Sequence, residues 1–132
     1  MTLLVLGFVA LLAAQTTQPA LKASIDRGKK VYDVYCVSCH QANGKGVPNL
    51  NPPLAATDYV TGDKAKLIRV ILKGLATNEP INDEYYSNTM PPQQFLKDQD
   101  IADVLTYVRN SFGNKAGAIS PAEVKTVRAK TK

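Results

Sequence analysis

Cys36-Val37-Ser38-Cys39-His40 decides how this chain is read. It is a C-x-x-C-H stretch, the spacing that attaches a haem covalently. Two thiols add across the two vinyl groups of one porphyrin, so they must sit a fixed short distance apart. The next residue then brings an imidazole under the iron as its proximal ligand. The chain has two cysteines and one histidine, and all three lie in this pentapeptide. Three other readings compete. A closed zinc site needs about four ligands, usually a second Cys/His pair, and none follows. A redox dithiol wants its C-x-x-C after a strand in a βαβ unit, a pattern missing upstream. A structural disulfide between residues three apart leaves His40 unexplained.

Upstream of the motif, Ser24 to Cys36 reads as a helix. Ser24 can cap it, Asp26 suits its first turn, and Ile25, Gly28, Tyr32, Tyr35 and Cys36 recur at helical spacing. Further upstream, Leu3 to Ala14 is an unbroken run of twelve apolar or small residues. That is short of the roughly 20 residues of a spanning helix but suits the apolar region of an export signal. Ala13-Ala14 before Gln15 resembles a cleavage site. The usual positive charge before the run is missing, since only Met1 and Thr2 precede it. The alternative is a buried helix of the fold, which would need a long polar connection.

Downstream, residues 41–61 carry Gly44, Gly46, Pro48, Pro52 and Pro53 and read as a loop. Asp63 to Leu72 is the second helix, with Asp63 as its cap, Ala65, Ile68, Ile71, Leu72 and Leu75 as its buried stripe, and Gly74 as its stop. Residues 77–95 are mostly loop and contain Met90-Pro91-Pro92. Asp98 to Phe112 is the closing helix: Ile101, Val104, Leu105, Val108 and Phe112 form one apolar face. Ser120-Pro121-Ala122-Glu123 combines a cap, a proline at the first position and a glutamate at the third, so a short helix to about Ala129 is expected in the tail. No strong period-2 segment or internal repeat is present.

This order of parts resembles the class I cytochrome c family over residues 24–113: the haem motif ends the first helix, a lone methionine lies far downstream in a loop, and a helix closes the domain. The resemblance implies an all-α fold wrapped round one haem c with its iron. It implies that the first and last helices cross at Gly28 and Tyr32, with Leu105 and Tyr107 as partners; glycine lets two backbones approach closely. It matches Met90-Pro91 to the family's sixth ligand, opposite His40. Two prolines leave few ways to point that side chain, and a thioether opposite histidine raises the haem potential. The alternative is a methionine filling a core gap. It also matches Pro52-Pro53-Leu54 to the segment whose proline carbonyl accepts the histidine's other ring N–H, with Pro52 preferred over the other prolines. Tyr59, Tyr85, Tyr86 and Phe95 could line the pocket or bond the propionates, or merely pack. One departure is Lys97, a poor cap for the closing helix, which suggests that Asp98 takes the role.

The division expected is an export signal over 1–14, a linker over 15–23, the haem domain over 24–113 and a basic tail over 114–132. Net charge is +5. From Lys115 on there are five basic residues and one acid, so the tail supplies +4 of it. Such a tail could dock an acidic partner or an anionic membrane; the more ordinary reading is a solvated helix face. The expected function is single-electron transfer between redox protein partners in the periplasm, by a carrier rather than an enzyme and with no nucleic-acid partner. Haem is attached to such proteins outside the cytoplasmic membrane. The alternative is a haem enzyme or gas sensor with an open sixth position. It would need Met90 not to bind, and it has no distal histidine to use.

Overall fold

The computed structural model describes residues 17–131. The export signal expected over 1–14, and residues 15 and 16 of the linker, lie outside them. Among the described residues there are helices and no strands, the all-α architecture expected. In chain order they are α1 (Gln18–Tyr35), α2 (Val37–His40), α3 (Asp58–Thr61), α4 (Lys64–Lys73), α5 (Asp98–Arg109) and α6 (Pro121–Ala129). None is long and apolar enough to cross a membrane.

Helix α1 begins well before Ser24, so residues 18–23, expected as linker, are helical. Thr17 is extended, and Pro19 sits in the first turn, where a missing N–H costs nothing. Ala20, Leu21 and Lys22 then continue as good helix formers. Ser24 is therefore not a cap; its Oγ donates to Asp103 Oδ1 at 2.6 Å. The crossing with α5 occurs at Gly28, as the Gly-x-x-x-aromatic pattern implied. A Cβ there would overlap the Asp103 carbonyl oxygen and lie 2.8 Å from Tyr107 Cβ. Below it, the buried Tyr32 ring packs on Tyr107 and Phe112, with centroids 5.3 and 5.4 Å away. Leu105 is buried in the same core as Tyr32.

The closing helix starts at Asp98 as read but differs from expectation in its cap and at its far end. Lys97, not Asp98, is the residue flanking its start. Asp100 Oδ2 reaches back to accept from Lys97 N (3.4 Å), while Asp98 Oδ1 is taken by Arg128 Nε at 2.7 Å. The helix ends at Arg109, and Phe112 returns to the core through a left-handed turn (φ 59°) rather than as a further helical residue. Helix α4 starts as read, with Asp63 Oδ1 accepting from Lys66 N at 2.7 Å, and buries Leu67 as well as Ile68, Ile71 and Leu72. The short α3, capped by Thr57, lies in the stretch expected as loop.

The tail is not a solvated appendage. Its capping box forms as read: Ser120 Oγ accepts from Glu123 N (3.2 Å), and Glu123 Oε2 accepts from Ser120 N (2.7 Å). Ile119, Val124 and Val127 then join the same core as α4 and α5. Arg109, buried, donates to the carbonyls of Val60 and Gly117, both at 2.7 Å, tying α3 and the tail to the closing helix. Arg128 donates to the carbonyls of Gln94 (2.9 Å) and Leu96 (2.7 Å). Arg128, one of the tail's five basic residues, is thus spent on the fold.

Asp103 is the buried charge of the α1–α5 crossing. Its side chain is 3 % exposed against 52 % for Arg27, whose Nε lies 2.6 Å away. Burial pushes the carboxyl's pKa up, but hydrogen bonds from Arg27, Ser24 and Gln99, with the Arg27 charge, outweigh it and hold the group below the usual carboxylate range. A depressed folded-state pKa contributes stability above the unfolded value of about 3.9 and loses it as pH falls through the folded one. Asp103→Asn is therefore expected to destabilise the neutral-pH protein by about 1–3 kcal/mol. In denaturant titrations that gap should shrink as pH falls below the unfolded value of about 3.9 and the folded carboxyl takes up its proton. A gap that stays constant down to pH 2 would refute the assignment.

Candidate functional site

The end of α1 and the short α2 place Cys36, Cys39 and His40 on one wall of a cleft. Cys36 N still bonds back to Tyr32 O (2.9 Å), and His40 N to Cys36 O (3.0 Å), so the motif is held as two linked helical turns. Tyr32 Oη donates to Gln41 O at 2.6 Å and fixes the chain just past His40. Thr89, Met90 and Pro91 line the same cleft. Ile71, Leu96 and Val104 supply an apolar lining from the core. The walls enclose about 610 Å³, counting the open mouth.

His40 is buried, and its Nδ1 lies 3.0 Å from the Pro52 carbonyl oxygen. Donation of Nδ1–H to that oxygen leaves Nε2 as the free lone pair of a neutral ring. Burial lowers the imidazole's pKa and the Pro52 bond offsets part of this, so the neutral form is favoured. Of the prolines weighed from sequence, Pro52 is the one that meets His40.

Met90 reaches the cleft through a support that no spacing in the sequence reveals. Its backbone pairs with Leu75 in both directions, N–H to carbonyl, at 3.0 Å each. Just past the two prolines, Gln93 N donates to Ile71 O at 2.7 Å. Gly74, in the left-handed region (φ 75°), makes room: a Cβ there would overlap the Met90 carbonyl oxygen and lie 3.1 Å from the Pro91 carbonyl carbon. The glycine read as a helix stop is thus also the seat of the methionine loop. The only sequence trace of this support is Gly74 itself.

The four aromatics considered from sequence are not among the residues lining the cleft. Tyr59 Oη donates to Glu79 (3.0 Å) under the Lys66 ammonium, and Tyr86 Oη donates to Glu84 (3.1 Å). Tyr85 and Phe95 are exposed. Tyr35, which sequence reading assigned to a helix face, lines the cleft instead. It is the last residue of α1 and lines the same cleft as Cys39.

The donor set suits a haem better than its rivals. Two thiols, an imidazole and a thioether line one largely apolar cleft. Among the described residues no group of three or more His, Cys, Asp or Glu gathers as a metal-binding cluster, against the zinc reading. Burial, with a lesser effect of Cys39, pushes the Cys36 thiol up to about 11, the reverse of the lowered pKa of a redox dithiol.

Comparison with known proteins agrees. The family model described as "Cytochrome c" matches residues 25–112. The chain is 36 % identical over 112 residues to a cytochrome c-552 of Thermus thermophilus, covering 78 % of this chain and 85 % of that one. It is 35 % identical over 104 residues to the cytochrome c subunit of an alcohol dehydrogenase (quinone) of Gluconobacter oxydans, covering 76 % of this chain but 22 % of the subunit. It is 32 % identical over 100 residues to the CcoP subunit of a cbb3-type cytochrome c oxidase of Azospirillum brasilense, covering 70 % of this chain and 30 % of that one.

Proposed function

Since the chain belongs to the cytochrome c family, an electron-transfer family that carries covalent haem c, we propose that it is a periplasmic carrier whose haem iron is held between His40 and Met90. Cys36 and Cys39 would form the two thioether links. Pro52 would hold the His40 ring in the tautomer and orientation that present Nε2. The haem, when bound, supplies reversible one-electron chemistry at iron. The apolar walls of Ile71, Leu96 and Val104 exclude water from it. With His40 and Met90 both committed to the iron, no site would be left for a substrate.

The observation that carries this reading is the placing of Met90. A residue fifty positions beyond His40 lines the same cleft, and its backbone is braced on Leu75 on one side and, through Gln93, on Ile71 on the other. A methionine merely filling a core gap has no need of so fixed a loop. The apolar run over 3–14 supports export, and assembly of c-type haem outside the cytoplasmic membrane agrees with it. The names of the relatives suggest that the partners are a dehydrogenase on one side or a terminal oxidase on the other.

The wild-type holoprotein tests it. The ferric form is expected to be low-spin with the far-red sulfur-to-iron band, and the ferrous form to take up carbon monoxide slowly. The colour should stay with the polypeptide after denaturation and acid–acetone extraction. A high-spin protein with rapid carbon monoxide uptake would favour the haem enzyme or sensor.

A further inference from the structure

Pro52 and Pro53 stand side by side in the loop that meets His40, and neither has a backbone N–H. Between Asn51 and Leu54 the chain therefore has no donor of its own, yet the Pro52 carbonyl oxygen is held 3.0 Å from His40 Nδ1. Its position is set from either side. Upstream, Val47 N donates to Asn51 O at 3.0 Å and Asn51 N to Val47 O at 2.9 Å. Gly46, in the left-handed region (φ 65°), lies against this pair: a Cβ there would overlap the Asn51 carbonyl oxygen and lie 2.6 Å from that of Pro52. Downstream, Leu54 N donates to Gly44 O at 2.7 Å. The rest of the hold comes from far along the chain. Asn114 Nδ2 donates to Leu54 O (2.8 Å) and Val108 O (3.0 Å), and Asn114 Oδ1 accepts from Ala56 N (3.2 Å).

Asn114 lies two residues past the stretch that the family model matches, in what the sequence presents as the start of the tail. Two left-handed residues, Phe112 (φ 59°) and Gly113 (φ 82°), turn the chain back after α5 and deliver it there. Only one orientation of its amide suits all three contacts. Turned over, it would set an oxygen against two carbonyl oxygens and an NH2 group against an N–H. Val108 O belongs to the last turn of α5, where carbonyls lack helical partners. One side chain thus joins the end of the closing helix to the loop that meets His40. We propose that Asn114 is a positioning residue for His40: by holding Leu54 and Ala56 it fixes the Pro52 carbonyl, and through that bond the tautomer, orientation and donor strength of the ring. A residue that only finished a helix would add stability without reaching His40. The two prolines make the difference, because slack at Leu54 passes to the Pro52 carbonyl with no N–H in between to stop it. The proposal rests on the reading above, in which His40 Nε2 binds the iron.

Nuclear magnetic resonance of isotope-labelled ferrous holoprotein, with a redox titration beside it, is the test. Asn114→Ala should speed exchange of the His40 Nδ1–H with solvent by about five- to tenfold, the worth of one or two lost hydrogen bonds. It should also raise the potential, because an imidazole held less firmly donates less to the iron and favours Fe(III) less. Asn114→Asp keeps an acceptor for Ala56 N but loses both donors, and should act in the same direction. Asn110→Ala is the comparison: Asn110 Nδ2 also bonds a carbonyl of α5, that of Thr106, at 2.9 Å. It should lower the melting temperature and leave ring exchange and potential unchanged. If both Asn114 variants move the melting temperature alone, as Asn110→Ala does, the proposal is overturned. The wild type supplies an arm that stands even if those variants fold poorly. Local opening should expose Ala56 N–H and the His40 ring N–H together, with opening constants within about threefold of each other. Opening at Ala56 about tenfold more frequent than at the ring would show that Asn114 does not govern the Pro52 bond. The low-spin spectrum is recorded on every sample. A wild type without it brings down the ligation reading itself, whereas a normal spectrum with unmoved ring exchange brings down only the role of Asn114.

Discussion

Met90→Ala is expected to abolish the far-red band, open the iron to carbon monoxide within the mixing time, and lower the potential by a few tenths of a volt. The axial ligands span about 0.8 V across haem proteins, and a thioether opposite histidine lies toward the high end. The fold should survive, because the loop is held by its backbone: the two Leu75–Met90 bonds and the Gln93–Ile71 bond do not involve the side chain. Met90→His should remain low-spin at a lower potential. Spectroscopy and a redox titration of the two variants decide the matter. A potential within a few hundredths of a volt of wild type in Met90→Ala, with the far-red band retained, would show that another group binds the iron and that Met90 only packs.

Gly28→Val is expected to prevent stable folding at growth temperature. The Asp103 carbonyl oxygen and Tyr107 Cβ occupy the space of the new side chain, and the first of these is backbone in the middle of α5, which cannot yield. Relief would require α1 and α5 to move apart. That would strip cover from Tyr32 and the α5 face and loosen the Arg27–Asp103 pair. Overpacking alone costs about 1–3 kcal/mol, and the lost contacts add to it in a small domain of marginal stability. Gly28→Ala should be milder but measurable. Thermal melting of holoprotein followed by circular dichroism reads both variants. A Gly28→Val protein with a wild-type melting temperature would mean that the helices do not cross at this residue. Because the haem motif hangs from the end of α1, the valine variant should also yield little coloured protein.

Much of this molecule is legible along the chain because its chemistry is local. The spacing of Cys36, Cys39 and His40 fixes the cofactor by covalent geometry, which no distant residue can alter. Asp63 and Ser120 were readable as caps because each bonds a backbone N–H three residues on. The crossing at Gly28 came from the family resemblance, and glycine's tolerance of a close backbone is the physical reason it fits. Resemblance to a family added Met90 and Pro52, which local patterns alone leave as a core methionine and one loop proline among several.

The remainder depended on partners far apart in sequence. Ser24 and Asp98 have the chemistry of caps, yet one donates to Asp103 and the other accepts from Arg128, because a polar side chain takes the partner that the packed structure brings nearest. The tail has the composition of a solvated basic segment, but Ile119, Val124 and Val127 give it an apolar face that α4 and α5 cover. The sequence by itself determined the cofactor, the helical class and where α4, α5 and α6 begin. Only the tertiary structure decided that Leu75 and Gln93 brace the Met90 loop, that Arg128 holds the following turn, and that segments far apart in sequence line one cleft. Covalent spacing and caps act over a few residues, whereas a cleft is the sum of contacts between segments that share no local pattern.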